Sequence, residues 1–240
     1  MKAMGKSFSF NSKEYDFWSL YNSIKKYYPI GIKKNQDLDI YRQYPGILEL
    51  EKILLESIAD KKTYQRNWTS YIKRIGSELG KEVTGTTFGL VPSYSAFLIL
   101  DFQKISSNRG VYKELHFAVS LLGKYYQIYG LNKTVLSYDD LSVPYQIQNL
   151  KEIVVSPIDE YKAYFESVEL KITEEFKDYR MVPFAIGQLV INGLEILHLD
   201  KENCSINMAL FNDFLGLGEQ MDEADVRGDI NYGMDAWRKN

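Results

Sequence analysis

The chain has 240 residues, 45% of them hydrophobic and 25% charged, which is enough length and apolar content to bury a real core in a globular protein. Its net charge of -3 disfavours a general nucleic-acid binder, and its single cysteine, Cys204, excludes an intramolecular disulfide or a cysteine-rich zinc site. No run is apolar enough to span a membrane, and the opening MKAMGKSFSFNSKEY lacks the apolar core of a secretory signal, so the expected location is cytoplasmic.

The first third has helical periodicity. Lysines 2, 6, 13, 25, 26, 33 and 34 make its start locally basic, which a solvated helix face explains. Phe17, Leu20, Tyr21 and Ile24 recur at three- and four-residue steps and predict a helix over residues 14–28, stopped by Pro29 and Gly31. Pro45 suits the first turn of a second helix, whose stripe is Ile47, Leu50, Ile53, Leu54 and Ile58. A third follows from about Thr63, with Trp68, Tyr71, Ile72 and Ile75 on one side, ending near Gly80.

The period then changes. KEVTGTTFGL and SYSAFLILDFQKI predict strands, the second dense enough in apolar residues to be central. After the loop SSNRG comes LHFAVSLLGKYYQIYG, predicted as a hairpin turning at Gly123–Lys124. That register sets Leu121 opposite Tyr126, Val119 opposite Ile128 and Phe117 opposite Gly130 on one apolar face. Leu122, Ser120 and Ala118 then face Tyr125, Gln127 and Tyr129 on a mixed second face. NKTVLSYDDLSVPY predicts a strand end and polar loop, and LKEIVVSP a further strand.

From Pro157 to Tyr179, Tyr161, Phe165, Val168 and Ile172 mark a long amphipathic helix. Asn192–Gly193 between apolar runs predicts a type I′ hairpin that pairs Ile191 with Leu194 and Leu189 with Ile196. CSINMALFNDFL is compatible with a strand or a short helix. The predicted architecture is α+β: N-terminal helices followed by a mainly antiparallel β-sheet packed with a long amphipathic helix. Residues 1–218 form one domain, helical over 1–80 and sheet over 81–218. Residues 219–240 read as an acidic, loose tail in which only Trp237 is fit to dock.

The chemistry-bearing residues are sparse. His116 and His198 are the only histidines and have no ligand-spaced partners, so no metal or cofactor site is expected. Cys204 lacks the helix-start context that activates a thiol, and no phosphate-binding glycine loop occurs. A small hydrolase using His198 and Cys204 is therefore the least supported reading. The partner-facing candidates are aromatic and acidic: Tyr125 and Tyr129 on the mixed hairpin face, and Asp139 and Asp140 in a loop beside Tyr138 and Tyr145. Carboxylates among tyrosines suit a basic protein partner.

The segments LHFAVSLLGKYYQIYGLNKT, MVPFAIGQLVINGLEI and INMALFNDFL together resemble the C-terminal sheet of bacterial immunity proteins that accompany polymorphic or contact-dependent toxins. The resemblance covers roughly residues 115–215 and leaves the helical first third unmatched. It implies a cytoplasmic, non-catalytic protein that binds and neutralises a cognate toxin, and it carries over no contact residues. A structural or assembly subunit acting through self-association is the competing reading.

Overall fold

A computed structural model describes residues 13–35, 38–138, 145–212 and 224–239. The chain opens with α1 (Trp18–Tyr27), α2 (Leu38–Gln43) and α3 (Pro45–Leu54), with Pro45 in the first turn of α3 as its fixed φ favours. Leu20 and Ile24 of α1 and Ile47 and Leu50 of α3 supply the buried stripe. Helical winding continues through a π-turn at Leu55–Ala59, α4 (Lys61–Tyr64), a second π-turn at Gln65–Thr69 and α5 (Ser70–Leu79). Asp60 caps α4 by accepting from the Lys62 amide, and Gly80, at φ +60, closes α5 in the left-handed region. The short α2 escapes periodicity analysis, yet Tyr41 anchors it: the ring is fully buried and the hydroxyl donates to the Glu195 carbonyl at 2.8 Å.

The sheet has seven strands: β1 (Val83–Gly85), β2 (Ser93–Lys104), β3 (Arg109–Ser120), β4 (Tyr125–Tyr138), β5 (Tyr145–Val154), β6 (Arg180–Met181) and β7 (Asp225–Arg227). Neighbours run β1-β2-β3-β4-β5-β7. All contacts from β1 to β5 are antiparallel, β7 joins β5 in parallel, and β6 pairs in parallel with the start of β4. The fold is thus α+β with a mainly antiparallel sheet.

One sheet face presents Leu98, Leu115, Phe117, Val119, Tyr126 and Ile128 to α5 and to α6 (Lys162–Glu175). Phe165, Val168 and Ile172 of α6 are fully buried there, as the predicted amphipathic spacing requires. Gly130 lies under this helix, where a Cβ would come within 2.4 Å of the Tyr161 ring, so no side chain fits. Tyr161 uses the approach to donate its hydroxyl to the Leu131 carbonyl. On the opposite side, Ala118, Leu122 and Tyr125 pack with α1, α3 and residues of the 182–211 segment.

The β3–β4 register departs from expectation by two residues: Val119 faces Tyr126 and Phe117 faces Ile128. Leu121 donates its amide to Pro92 and Leu122 donates to the Ser120 hydroxyl, so neither is free to pair with β4 and the connection widens to Leu121–Lys124. A slip of two preserves the faces, because the side-chain period of a strand is two. Tyr126 therefore enters the apolar layer while Tyr125 and Tyr129 point to the other side.

The predicted Asn192–Gly193 hairpin does not form. Only Gly193 has positive φ, at +78, whereas a type I′ turn needs it at both central residues. A tight turn remains, with the Leu194 amide donating to Ile191, but its flanks do not pair with each other. Residues 189–191 instead meet 204–206, through Ile191 N–H to Cys204 and Ile206 N–H to Leu189. Upstream, Phe184–Gly187 is a helical turn, α7, entered from Pro183. Ile206–Leu210 forms α8, capped by the Ser205 hydroxyl.

The described part of the expected loose tail is docked. Besides β7, Trp237 is fully buried and donates its indole N–H to the Met181 carbonyl at 2.7 Å. Its ring lies against Phe17 and Tyr125, with the Arg180 guanidinium 4.2 Å from the ring centroid. Backbone bonds from Asp16 to Trp237 and from Lys239 to Glu14 tie the C-terminal residues to the start of the described chain. One large aromatic in a prepared slot does here what periodicity does in a helix.

Candidate functional site

The structure does not present the expected partner-facing residues as one surface. Tyr125 is buried, sharing a 3.0 Å hydrogen bond with the Ser23 hydroxyl and lying beside Trp237. Tyr129 is buried as well, its ring stacked 5.2 Å from that of His116. As core side chains, both are unavailable to a partner docking from solvent, which corrects their assignment to a binding surface. Tyr138 and Tyr145 are backbone partners closing the β4–β5 ladder, and Asp139 and Asp140 lie outside the described residues. Cys204 is fully buried, and burial pushes its thiol above the ordinary range, the opposite of an activated nucleophile.

The densest chemistry is a buried charged triad on the sheet face away from α5 and α6. Glu114 and His116 alternate along β3 and so share a face, and Lys133 joins them from β4. One carboxylate oxygen of Glu114 receives the His116 Nε2 at 2.7 Å and the Lys133 Nζ at 2.8 Å. All three residues are at least nine-tenths buried, and His116 is sandwiched between Phe97 and Tyr129. Burial pushes the Glu114 carboxyl up, but the hydrogen bond and charge of His116, with Lys133, outweigh it and leave the group below its ordinary value. Burial holds His116 below its ordinary value against the pull of Glu114.

The Glu114 carboxylate is thus matched inside the sheet by the Lys133 ammonium and the His116 ring. The adjoining cavity, lined by Thr86, Ser95, His116, Tyr129 and Asn212, measures about 30 Å³, the space of a single water. The sequence signal was present in Glu114-x-His116, which alternation places on one face, but the lysine came from another strand.

An open depression lies elsewhere, between α6 and the docked C-terminal segment. It measures about 660 Å³, within the range of ligand-binding clefts, and is walled by Tyr15, Glu169, Asp229, Tyr232, Asp235 and Arg238. Glu169 of α6 receives the hydroxyls of Tyr126 at 3.0 Å and Tyr232 at 2.7 Å. Both phenols are held protonated well above their ordinary range, first by burial and then by this carboxylate. Asp229 donates its amide to the Ser156 hydroxyl and accepts the Asn231 amide, which fixes the loop. Asp235 pairs with Arg238 at 3.0 Å on the exposed rim. Sequence periodicity offered no pointer to this cleft, because most of its wall comes from the segment that reads as tail.

Among the described residues, no group of three or more histidine, cysteine, aspartate or glutamate side chains is placed to hold a metal ion, and no helix is long and apolar enough to cross a membrane. Comparison with known proteins found no match, whether among protein families, curated proteins or solved structures.

Proposed function

We propose that the protein is a non-catalytic binding factor of the immunity type, acting in the cytoplasm, and that the tyrosine-walled cleft receives basic side chains of a cognate toxin. The observation that carries this reading is the division of labour between the two polar sites. The triad with catalytic residue types is sealed and self-neutralised, while the open cleft offers aromatic rings and three carboxylates against one arginine. Such a surface complements a basic partner and speeds its approach. The acidic balance of the whole chain acts in the same sense, and the resemblance of residues 115–215 to immunity proteins supplies the partner class.

Co-expression of this chain with the toxin encoded by the adjacent gene tests the reading directly. Growth should be restored by the natural chain and not by one carrying Asp229→Lys with Asp235→Lys. Failure of the natural chain to restore growth, or full protection by the charge-reversed one, would reject it.

A further inference from the structure

A second recess, lined by different residues and independent of the toxin reading, lies between α5 and α6. It measures about 160 Å³, too small for a whole ligand of ordinary size but ample for a head group. Its wall carries Glu78, Glu174 and Glu175 against Arg74 and Lys171. Arg74 pairs with Glu175 and Lys171 with Glu78, which leaves Glu174 as the carboxylate without a cation in contact among the described residues.

The same recess is lined by Tyr71, which is only 4% exposed and whose hydroxyl has no hydrogen-bond partner. A hydroxyl sealed without a partner costs about 1–3 kcal/mol, so its presence calls for a group that completes it. What lies over the ring is the Arg74 guanidinium, 5.6 Å from the ring centroid, whose pair with Glu175 is roughly half exposed. An ion pair of that kind is weak and easily displaced.

We propose that this recess binds a primary alkylammonium group, with the Tyr71 hydroxyl oxygen accepting one N–H and Glu174 supplying the counter-charge. An anion is disfavoured because both cations of the wall are already paired. A compact ammonium fits better than a planar guanidinium, since it can direct separate N–H bonds to the hydroxyl and the carboxylate. The group has two sources, a free diamine or the end of a protein lysine.

The test is a titration of the full chain with n-butylammonium, putrescine and Nα-acetyl-lysine amide, with n-butanol as neutral control. Backbone amide NMR shifts at Tyr71, Ile75, Lys171 and Glu174 provide the readout. All three amines should saturate these shifts at about millimolar concentration, as a single charged contact allows. Tyr71→Phe and Glu174→Gln should each weaken binding about tenfold, the equivalent of one charge-assisted hydrogen bond. Without amine, Tyr71→Phe should leave Tm unchanged or raised, because it removes an unsatisfied group. Tighter binding of putrescine than of the lysine amide assigns the site to a free diamine, and equal binding assigns it to a lysine side chain. The proposal is overturned by unsaturable shifts, by equal shifts with n-butanol, or by a Tyr71→Phe variant whose Tm falls in the absence of amine.

Discussion

Strand β3 carries two faces that are equally buried and held together in different ways. Toward α5 and α6 it shows Leu115, Phe117 and Val119; toward the other side it shows Glu114, His116, Ala118 and Ser120. The apolar face is a sum of many small contacts, so each residue contributes in proportion to its area. The polar face is a set whose members depend on each other, since removing one leaves a charge sealed from water. Area can be read from a sequence one residue at a time. Completeness of a polar set cannot.

Changes on the two faces should therefore behave differently in chemical denaturation. On the apolar face, Phe117→Ala should cost about 3–5 kcal/mol, the price of a large ring lost from a packed core. On the polar face, Glu114→Ala should cost about 3–4 kcal/mol although it removes far less area, because Lys133 is left buried and uncompensated. Replacing both partners, Glu114→Leu with Lys133→Met, should recover the part of that loss due to the stranded ammonium, leaving about 1–3 kcal/mol for the His116 nitrogen that also loses its carboxylate. If the double variant were as unstable as the single one, the loss would lie in packing rather than in stranded charge.

Acid should single out the polar face. His116 is held below its ordinary value in the fold, so the unfolded chain takes up its proton first, and stability should fall as pH drops below about 6.5. Glu114 is also held below its ordinary value, so its contribution is present above about pH 4.3 and is lost as pH falls further. Both effects have the same sign and act in successive windows. A His116→Phe variant should lose the upper window and shrink the lower one, because the His116 hydrogen bond is the leading support of the low Glu114 value, and stability measurements across pH would show both changes.

The smallest expected effect concerns the turn at residues 191–194. Gly193→Ala should cost about 1 kcal/mol or more, since φ is +78 and the added Cβ would meet the Gly31 amide at 3.0 Å. Asn192→Ala should stay within about 0.5 kcal/mol, because no positive φ is required there. Equal losses at the two positions would restore the type I′ turn that the dipeptide suggests.

These contrasts explain which parts of the fold were legible in the sequence. The stripes of α1, α3, α5 and α6 follow from burial of one helix face, and β2, β3 and β4 appear where apolar density and the hairpin pattern place them. The β3–β4 register slipped because the Leu121 and Leu122 amides are claimed by Pro92 and Ser120, partners that periodicity does not register. The Asn192–Gly193 hairpin failed because residues 189–191 found a longer-range partner at 204–206. Trp237 organises a segment with no periodic pattern at all. The candidate cleft inherits that illegibility, since Glu169 comes from a readable helix and Asp229, Tyr232 and Asp235 from the part that reads as tail.

The division between a sealed polar triad and an open cleft is tested most directly by measuring association of the purified chain with the toxin partner proposed above at low and high salt. The Asp229→Lys, Asp235→Lys variant should lose at least about tenfold in affinity, chiefly through a slower, salt-insensitive association rate. The Glu114→Leu, Lys133→Met variant should bind like the natural chain. Undiminished binding by the cleft variant, or loss of binding by the triad variant with its fold intact, would contradict the assignment.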